Sequence, residues 1–347
     1  MKRYSKPLGN LFTFKQDFFQ ENDSKLKEFK NIASIYLRQP KRLKCQNCDG
    51  PIEFAEDSSF SKFDIPYSFC GQCGHLNGAH QDTDAFCSAL YADNGGENYA
   101  AAYLAADRSS YENRVKEIYV PKAKFLRDAL AELSEVPGRL VDLGAGAGHF
   151  VSAARASGFS DAIGYEPSEM LVRFGNSMLG SQVLIQHELS DFVSIIEKIQ
   201  AQVASMIFVL EHVRSPRSVL RALSQNQHIQ FVYFSVPLFS PTVLFEAVFS
   251  EVMPRHLIAG HTHLFTERSI HYFCNEFGFK PLAQWWFGLD IADLYRSLLV
   301  SLGNRKALNA PLREYLTEDF MPLIDRLQNV LDEAHQCTEV HMLLAKK

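Results

Sequence analysis

The feature that most constrains the fold is a glycine-rich turn that directly follows a short apolar strand. Residues 140–150 read L-V-D-L-G-A-G-A-G-H-F, with a predicted strand at 139–143 and a predicted helix at 150–157. Glycines in such a turn adopt positive φ easily and let a ligand approach the backbone. The turn amides and the helix N-terminus favour an anionic group of that ligand. The sequence therefore predicts a small-molecule site at this turn.

Strands and helices alternate along the residues that follow the turn. Apolar runs predict further strands at 162–165, 183–186, 204–210 and 229–236, and helical patterns lie between them. Such alternation is typical of a parallel sheet that is covered by helices on both faces. We therefore predict an α/β fold with a Rossmann-like, doubly wound and mostly parallel sheet.

The spacing of the turn glycines distinguishes between classes of nucleotide ligand. Gly144, Gly146 and Gly148 give the pattern G-x-G-x-G. Dinucleotide-binding folds use G-x-G-x-x-G, and the third position of that pattern is His149 here. Asp142 precedes the turn, where a carboxylate suits a ligand with an amine and a sulfonium better than a pyrophosphate. An oxidoreductase that uses NAD is therefore the weaker interpretation.

A second carboxylate ends the next predicted strand. Glu166 lies eighteen residues after Gly148, where an acidic side chain can accept hydrogen bonds from both ribose hydroxyls. The chain thus has, in this order, a strand, an acidic residue, a glycine turn, a helix, a second strand and a second acidic residue. Over about residues 99–347 it resembles the class I methyltransferases that use S-adenosylmethionine (SAM). The resemblance implies a seven-stranded sheet whose last strand, at 338–345, is antiparallel.

The same resemblance implies a set of cofactor-binding residues. In that family the acid before the turn and the turn glycines hold the methionine part of SAM, and the acid after the second strand holds the ribose. Residues after the third strand flank the adenine, and aromatic residues before the first strand close over the SAM carboxylate, although core packing explains such aromatics equally well. The corresponding residues are Asp142, Gly144, Gly146, Gly148, Glu166, Glu188, Leu189, Tyr99 and Tyr103.

Two histidine-containing segments follow predicted strands, where ligands bind in such folds. Residues 208–213 are similar to a V-L-E-H-V segment of the family, and residues 261–266 resemble its H-x-x-x-F-T segment. A hydroxyl acceptor must lose a proton, and histidine is the natural base near pH 7. We expect catalytic roles for His261, His212 and Glu211, with one histidine as the base. The alternative is that these side chains only brace their loops. The family usually has Asp ten residues before the first His, where this chain has Gln202.

Four cysteines form two C-x-x-C pairs that are separated by 21 residues. Two such pairs are typical of a structural zinc site with four thiolate ligands. We therefore predict that Cys45, Cys48, Cys70 and Cys73 bind Zn²⁺. The nearby histidines, at positions 75 and 80, are expected on the surface.

Composition and charge suggest how the chain is organised. We expect an N-terminal helical arm at 1–40, a zinc-ribbon module at 41–90 and a methyltransferase domain at 91–347, with a lid insertion at 237–260 and a helical insertion at 289–335. Residues 1–44 contain eleven Lys/Arg and four Asp/Glu, a net charge of +7, so the rest carries −12 of the total −5. This balance argues against extensive nucleic-acid binding. An apolar leader and a membrane-spanning apolar segment are not predicted, so we expect a cytoplasmic protein.

The acceptor is the least constrained part of the functional prediction. A zinc ribbon before a methyltransferase domain resembles enzymes of sugar and glycan biosynthesis, so we expect a sugar, nucleotide sugar or surface-glycan precursor, which could carry phosphate. A natural-product or quinone-type acceptor is the alternative within the same class. A nucleic-acid-binding zinc-ribbon protein with a non-catalytic Rossmann-like domain is the alternative outside it. Homo-oligomerisation stays open.

Overall fold

The computed structural model describes residues 21–55, 59–91, 107–258 and 260–346. The helices of eight or more residues within these ranges are α1 (Asn22–Tyr36), α2 (Asp84–Tyr91), α3 (Val120–Glu132), α4 (His149–Ala156), α5 (Glu169–Leu179), α6 (Pro216–Gln225), α7 (Pro241–Val248), α8 (Glu267–Phe277), α9 (Asp290–Asn304) and α10 (Ile324–Glu333). The strands are β1 (Ser59–Lys62), β2 (Ile65–Phe69), β3 (Leu76–Gly78), β4 (Leu140–Leu143), β5 (Ala162–Glu166), β6 (Leu184–Gln186), β7 (Val203–Ile207), β8 (Phe231–Pro237), β9 (His263–Leu264), β10 (Phe279–Phe287) and β11 (Glu339–Lys346).

Seven strands form the main sheet, in the order β10-β11-β8-β7-β4-β5-β6. The five strands from β6 to β8 run parallel, whereas β11 runs antiparallel to both of its neighbours. The strand order reverses at β4, so the carboxyl ends of β4, β5 and β7 meet at the edge where such sheets bind ligands. The predicted α/β fold with a mostly parallel seven-stranded sheet and an antiparallel last strand is confirmed.

The central strands are mostly apolar and deeply buried because helices cover both faces of the sheet. Every residue of β4 and of β8 is buried. Two hydrophobic clusters pack on the sheet, and they use alternate residues of the same strands, such as Val141 in one and Leu140 in the other. The fourth parallel strand ends at Ile207 and not at residue 210 as predicted, because Phe208 takes a positive φ of 58°.

A second, four-stranded sheet joins the cysteine-rich segment to a later part of the chain. Its order is β1-β2-β3-β9, and β9 pairs antiparallel with β3. His75 follows the second cysteine pair, and its Nε2 atom lies 2.9 Å from Nδ1 of His263 on β9. The expectation that His75 and His80 lie on the surface is wrong, since they are 0% and 3% exposed.

The segments predicted as insertions form helices that pack beside the sheet edge. The 237–260 segment contains α7, and its buried Glu246 accepts hydrogen bonds from the backbone amides of residues 255–257. The 289–335 segment contains α9 and α10, which pack together in a hydrophobic cluster that includes Tyr295 of α9, Ile324 of α10 and Leu316 between them. Of the helices described, none combines the length and the apolar character needed to cross a membrane.

Candidate functional site

The glycine turn is built by left-handed backbone at each of its three glycines. The φ angles are 73° at Gly144, 54° at Gly146 and 73° at Gly148. The amides of Gly144 and Ala145 both donate to the carbonyl of Tyr165, at 2.8 and 2.9 Å, which ties the turn to the end of β5. Glycine adopts such angles without strain, so the three glycines allow the backbone of this turn to take the conformation that the structure shows.

The three glycines serve different purposes. A Cβ atom on Gly144 would lie 2.7 Å from Cγ2 of Val209, and one on Gly148 would lie 2.9 Å from Cδ1 of Leu184. Neighbouring side chains therefore fill the space beside Gly144 and Gly148. A Cβ on Gly146 would meet no atom of the described residues within 4 Å beyond its chain neighbours. The open space of the turn therefore lies at Gly146.

Glu166 closes one side of this turn. Its Oε2 atom accepts a hydrogen bond of 2.8 Å from the amide of Gly146, and its Oε1 atom accepts one of 3.0 Å from the amide of Ser168. The side chain is only 4% exposed, and this burial raises its pKa, although the two amide bonds oppose the shift. A carboxylate has about four lone-pair positions, so Glu166 can accept further hydrogen bonds.

Asp142 lies buried at the end of β4. Its Oδ1 atom accepts a hydrogen bond of 2.7 Å from the hydroxyl of Ser205 on β7. Burial raises the pKa of Asp142 to about 7, while the bond from Ser205 opposes the shift. Since this carboxyl group titrates near neutrality, a cationic ligand beside it would favour its ionised form.

An aromatic stack on the helix side of the turn was not predicted from the sequence. The ring of His149 lies between Tyr111 and Tyr119, with centroid distances of 4.5 and 5.3 Å and nearly parallel planes. The hydroxyl of Tyr111 donates to the carbonyl of Ala147 at 3.1 Å. His149 thus fills the position of the third glycine in a dinucleotide turn and packs there as a core residue. The tyrosines lie in a helical stretch whose pairing with the turn only the tertiary structure reveals.

The other predicted cofactor residues have varied positions. Glu188 and Leu189 follow β6 and are both exposed, beside the backbone amide of His187, which donates to the carbonyl of Glu166 at 3.3 Å. Tyr99 and Tyr103 lie outside the described residues.

Gln202 stands where the family pattern usually has Asp, and its side chain binds the backbone ahead of β4. It precedes β7, and its side chain accepts a hydrogen bond of 2.7 Å from the amide of Gly138. This position is at the amino end of the strand, away from the sheet edge that carries the glycine turn.

The predicted catalytic side chains converge at the carboxyl end of β7. Suitable ligand atoms of Glu211, His212 and His261 all lie within 4.8 Å of one another. Nε2 of His212 is 3.9 Å from Oε1 of Glu211, and the two histidine rings are 4.8 Å apart between centroids. The structure thus brings together two segments separated by 48 residues of sequence.

Burial controls the protonation of this cluster. It raises the pKa of Glu211 to about 8 and lowers that of His261 to about 4. It also places the pKa of His212 well below its ordinary value. Both histidines are therefore neutral near pH 7, and a neutral imidazole has one ring nitrogen that donates and one that accepts.

A buried lysine next to this cluster was missed from the sequence. Lys122 on α3 is 6% exposed, and its Nζ atom lies 4.6 Å from the ring centroid of Phe208 and 5.3 Å from that of Tyr119. Phe208 carries the positive φ that ends β7. A lysine in a helical pattern gives no sequence signal for such burial.

The four cysteines predicted to bind zinc form one buried cluster. Sγ of Cys45 is 3.6 Å from that of Cys73, and Sγ of Cys48 is 3.5 Å from that of Cys70. Tetrahedral zinc with Zn–S bonds of about 2.3 Å requires sulfur atoms about 3.8 Å apart. The four thiols therefore fit Zn²⁺ with small adjustments.

The cysteine cluster is held against α8, a helix that packs on strand β10 of the main sheet. Nη2 of Arg268 donates to the carbonyls of Gly71 and Gln72 at 2.9 Å, and the hydroxyl of Thr266 donates to the carbonyl of Gly74 at 3.0 Å. These bonds join the second cysteine pair to the N-terminus of the helix that follows His261 and β9. A zinc ion here would supply a cross-link that fixes this junction.

The chain was compared with solved structures and with curated sequences. Three solved methyltransferase structures are similar at low identity. The magnesium protoporphyrin IX methyltransferase from Synechocystis PCC 6803 is 9% identical, with a TM-score of 0.46 over 76% of this chain and 100% of that chain. The geranyl diphosphate C-methyltransferase from Streptomyces coelicolor A3(2) is 11% identical, with a TM-score of 0.41 over 69% and 84%. The plantazolicin methyltransferase BpumL is 12% identical, with a TM-score of 0.45 over 75% and 93%.

The sequence comparisons place the resemblance on the residues of this site. No curated protein sequence matches the chain. Residues 117–284 match a family model described as a methyltransferase domain. The matched segment contains the glycine turn, Glu166 and the Glu211–His212–His261 cluster.

Proposed function

We propose that this protein is a SAM-dependent methyltransferase that acts on a small-molecule acceptor. The observation that carries the proposal is the open space at Gly146, which lies in a turn of three left-handed glycines and is bordered by Glu166. A ligand in that space would lie directly against backbone amides at a helix N-terminus.

The residues around the space suit the parts of SAM. Asp142 would face the positively charged methionine part, Glu166 would accept from the ribose hydroxyls, and Glu188 and Leu189 would flank the adenine. Bound SAM supplies an activated methyl group on a sulfonium. The protein's own contribution is to hold an acceptor within about 3–3.5 Å of that group and in line with it.

The Glu211–His212–His261 cluster is the proposed place of proton removal from the acceptor. It follows β7, at the same sheet edge as the glycine turn, and Val209 of this segment packs against Gly144. The neutral rings of His261 and His212 have lone pairs that can take a proton from a hydroxyl. We propose one of these histidines as the general base.

The acceptor class is proposed by analogy. The zinc-binding cysteine cluster next to a methyltransferase domain favours a sugar, a nucleotide sugar or a surface-glycan precursor, and natural products or quinones are the second choice. A reducing compartment such as the cytoplasm would keep the four thiols available for Zn²⁺.

Calorimetric titration tests the proposal. SAM and its demethylated product should bind one site in the protein, and NAD should not bind. Gly146→Arg should abolish SAM binding because its side chain fills the open space. Gly180→Arg is a matched control, since Gly180 also has a positive φ, of 65°, and open space, but lies at the end of α5. Equal SAM affinity in both variants would refute the site.

Turnover tests the catalytic part separately. Incubation with SAM and nucleotide sugars should release S-adenosylhomocysteine and a methylated sugar, both detected by mass spectrometry. His261→Ala should lower the turnover far more than the affinity for SAM. Retention of RNA or DNA in gel-shift experiments, without SAM binding, would instead favour the nucleic-acid-binding alternative.

A further inference from the structure

The Glu211–His212–His261 cluster has the composition of a metal site as well as that of an acid–base pair. Two imidazoles and one carboxylate are common ligands of divalent transition-metal ions. Ligand atoms that are bound tetrahedrally at about 2.1 Å lie about 3.4 Å apart. The observed 3.9 Å between Nε2 of His212 and Oε1 of Glu211 needs only a small contraction to reach this geometry.

The carboxylate of Glu211 lacks the hydrogen bonds that its burial requires. The residue is 1% exposed, and among the described residues neither of its oxygens has a hydrogen-bond partner outside Glu211 itself. Burial of a charged group is strongly unfavourable unless a counter-charge or a metal ion compensates it. A cation between Glu211 and the two histidines would give this carboxyl group a partner.

His261 is oriented as metal-binding histidines usually are. Nδ1 of His261 donates to the backbone carbonyl of His256 at 2.9 Å, which leaves the lone pair on Nε2. Metal-binding histidines typically donate their other ring nitrogen to a carbonyl in this way, which fixes the tautomer.

The cluster combines a fixed frame with an approach from solvent. His261 is two residues before β9, which pairs with β3 next to the cysteine cluster. Glu211 has a fully buried side chain, whereas that of His212 is 17% exposed and His261 is half-buried. A cation bound by these three residues would therefore keep an open position toward the solvent side.

We propose that Glu211, His212 and His261 bind a divalent transition-metal ion, which also coordinates the acceptor's oxygen. This inference rests on the proposed function and changes one part of it, because the histidines then act as ligands and not as bases. Coordination makes a hydroxyl more acidic, so its proton passes to water. The oxygen lone pair forms the new bond to the methyl carbon, and the S–C bond breaks with its electron pair moving to sulfur.

Manganese binding to the full-length, zinc-loaded protein tests this inference. Mn²⁺ is a suitable probe because it competes poorly for thiolate sites and its free form gives a strong paramagnetic resonance signal. The wild-type protein should bind one Mn²⁺. Glu211→Gln and His261→Ala should weaken this binding at least about 10-fold, and the exposed-histidine control His228→Ala should not.

Each outcome decides the inference. Absence of Mn²⁺ binding to wild type, or equal binding in wild type and Glu211→Gln, would overturn it. Glu211→Gln preserves the shape of the side chain, so it remains informative if His261→Ala fails to fold. Calorimetry with SAM runs in parallel: intact SAM binding without Mn²⁺ binding refutes only the metal site, whereas failure of the wild type to bind SAM refutes the proposed function.

Discussion

Glu166 offers the sharpest test of how the glycine turn is held open for a ligand. Its two oxygens accept separately from the amides of Gly146 and Ser168, at 2.8 and 3.0 Å. In Glu166→Gln only one atom can accept, and the amide NH₂ group then faces a backbone N–H. The variant therefore loses one charge-assisted hydrogen bond and leaves one buried donor without a partner.

The expected loss of binding free energy in Glu166→Gln follows from the strength of such hydrogen bonds. A hydrogen bond to a charged group contributes about 1.5–3 kcal/mol. If the whole loss acts on the turn, the affinity for SAM falls by roughly 10- to 150-fold, because each 1.4 kcal/mol corresponds to a factor of ten. The ligand-free protein should also unfold several degrees lower, since the bonds exist without ligand.

Thermal unfolding and SAM calorimetry measure both effects. Both are run above neutral pH, because burial raises the pKa of Glu166 and a higher pH favours its ionised form. Glu169→Gln is the matched control, because Glu169 lies three residues later and its side chain is 61% exposed. The control should behave like wild type, since an exposed ion pair contributes about 0–1 kcal/mol. If Glu166→Gln changed SAM affinity but not the unfolding temperature, the proposed bracing of the turn would be wrong.

Three further predictions concern the cysteine cluster, Asp142 and the packed glycine. Cys48→Ser should lower the zinc content measured by atomic emission, whereas Cys87→Ser should retain it; equal zinc in both would exclude the four-thiolate site. SAM binding should release up to one proton near pH 6, because the pKa of Asp142 is raised to about 7 by burial and a cation favours its ionised form. Affinity should thus rise as pH increases through about 7, and calorimetry in two buffers should show no proton release for Asp142→Asn. The stability of the ligand-free protein depends on pH in the opposite direction. Because the pKa of Asp142 is raised in the folded state, its protonated form stabilises the fold below pH 3.8, and this contribution is lost as the pH rises to about 7. Gly144→Ala should lower the free energy of unfolding by about 1–3 kcal/mol, because its Cβ would lie 2.7 Å from Val209 at a positive φ. Val209→Ala in the same chain should recover part of that loss in denaturant titrations, and an additive loss would argue against the contact.

The sequence predicted the parts of the fold that depend on local patterns. Mostly apolar runs marked β4 and β8, because both faces of these strands are buried. The glycine spacing located the turn, because its φ angles require glycine at three fixed positions. The end of β7 was missed because a bulky residue, Phe208, adopts a positive φ that its own sequence does not indicate.

Interactions between distant segments could not be predicted in this way. The pairing of β3 with β9 joins residues 76–77 to residues 263–264, and no local periodicity specifies it. The same applies to the contact of His75 with His263, which placed in the core a histidine that was expected on the surface. Sequence proposed Glu211 and His261 individually, but only the fold shows that their ligand atoms lie within 4.8 Å.

A crystal structure of the protein with S-adenosylhomocysteine tests the central claim most directly. Our account predicts electron density for the ligand along residues 144–148, with its ribose hydroxyls on Glu166 and its amino-acid part over Gly146. Density at another place, or a turn at 144–148 closed by the protein's own side chains, would contradict it.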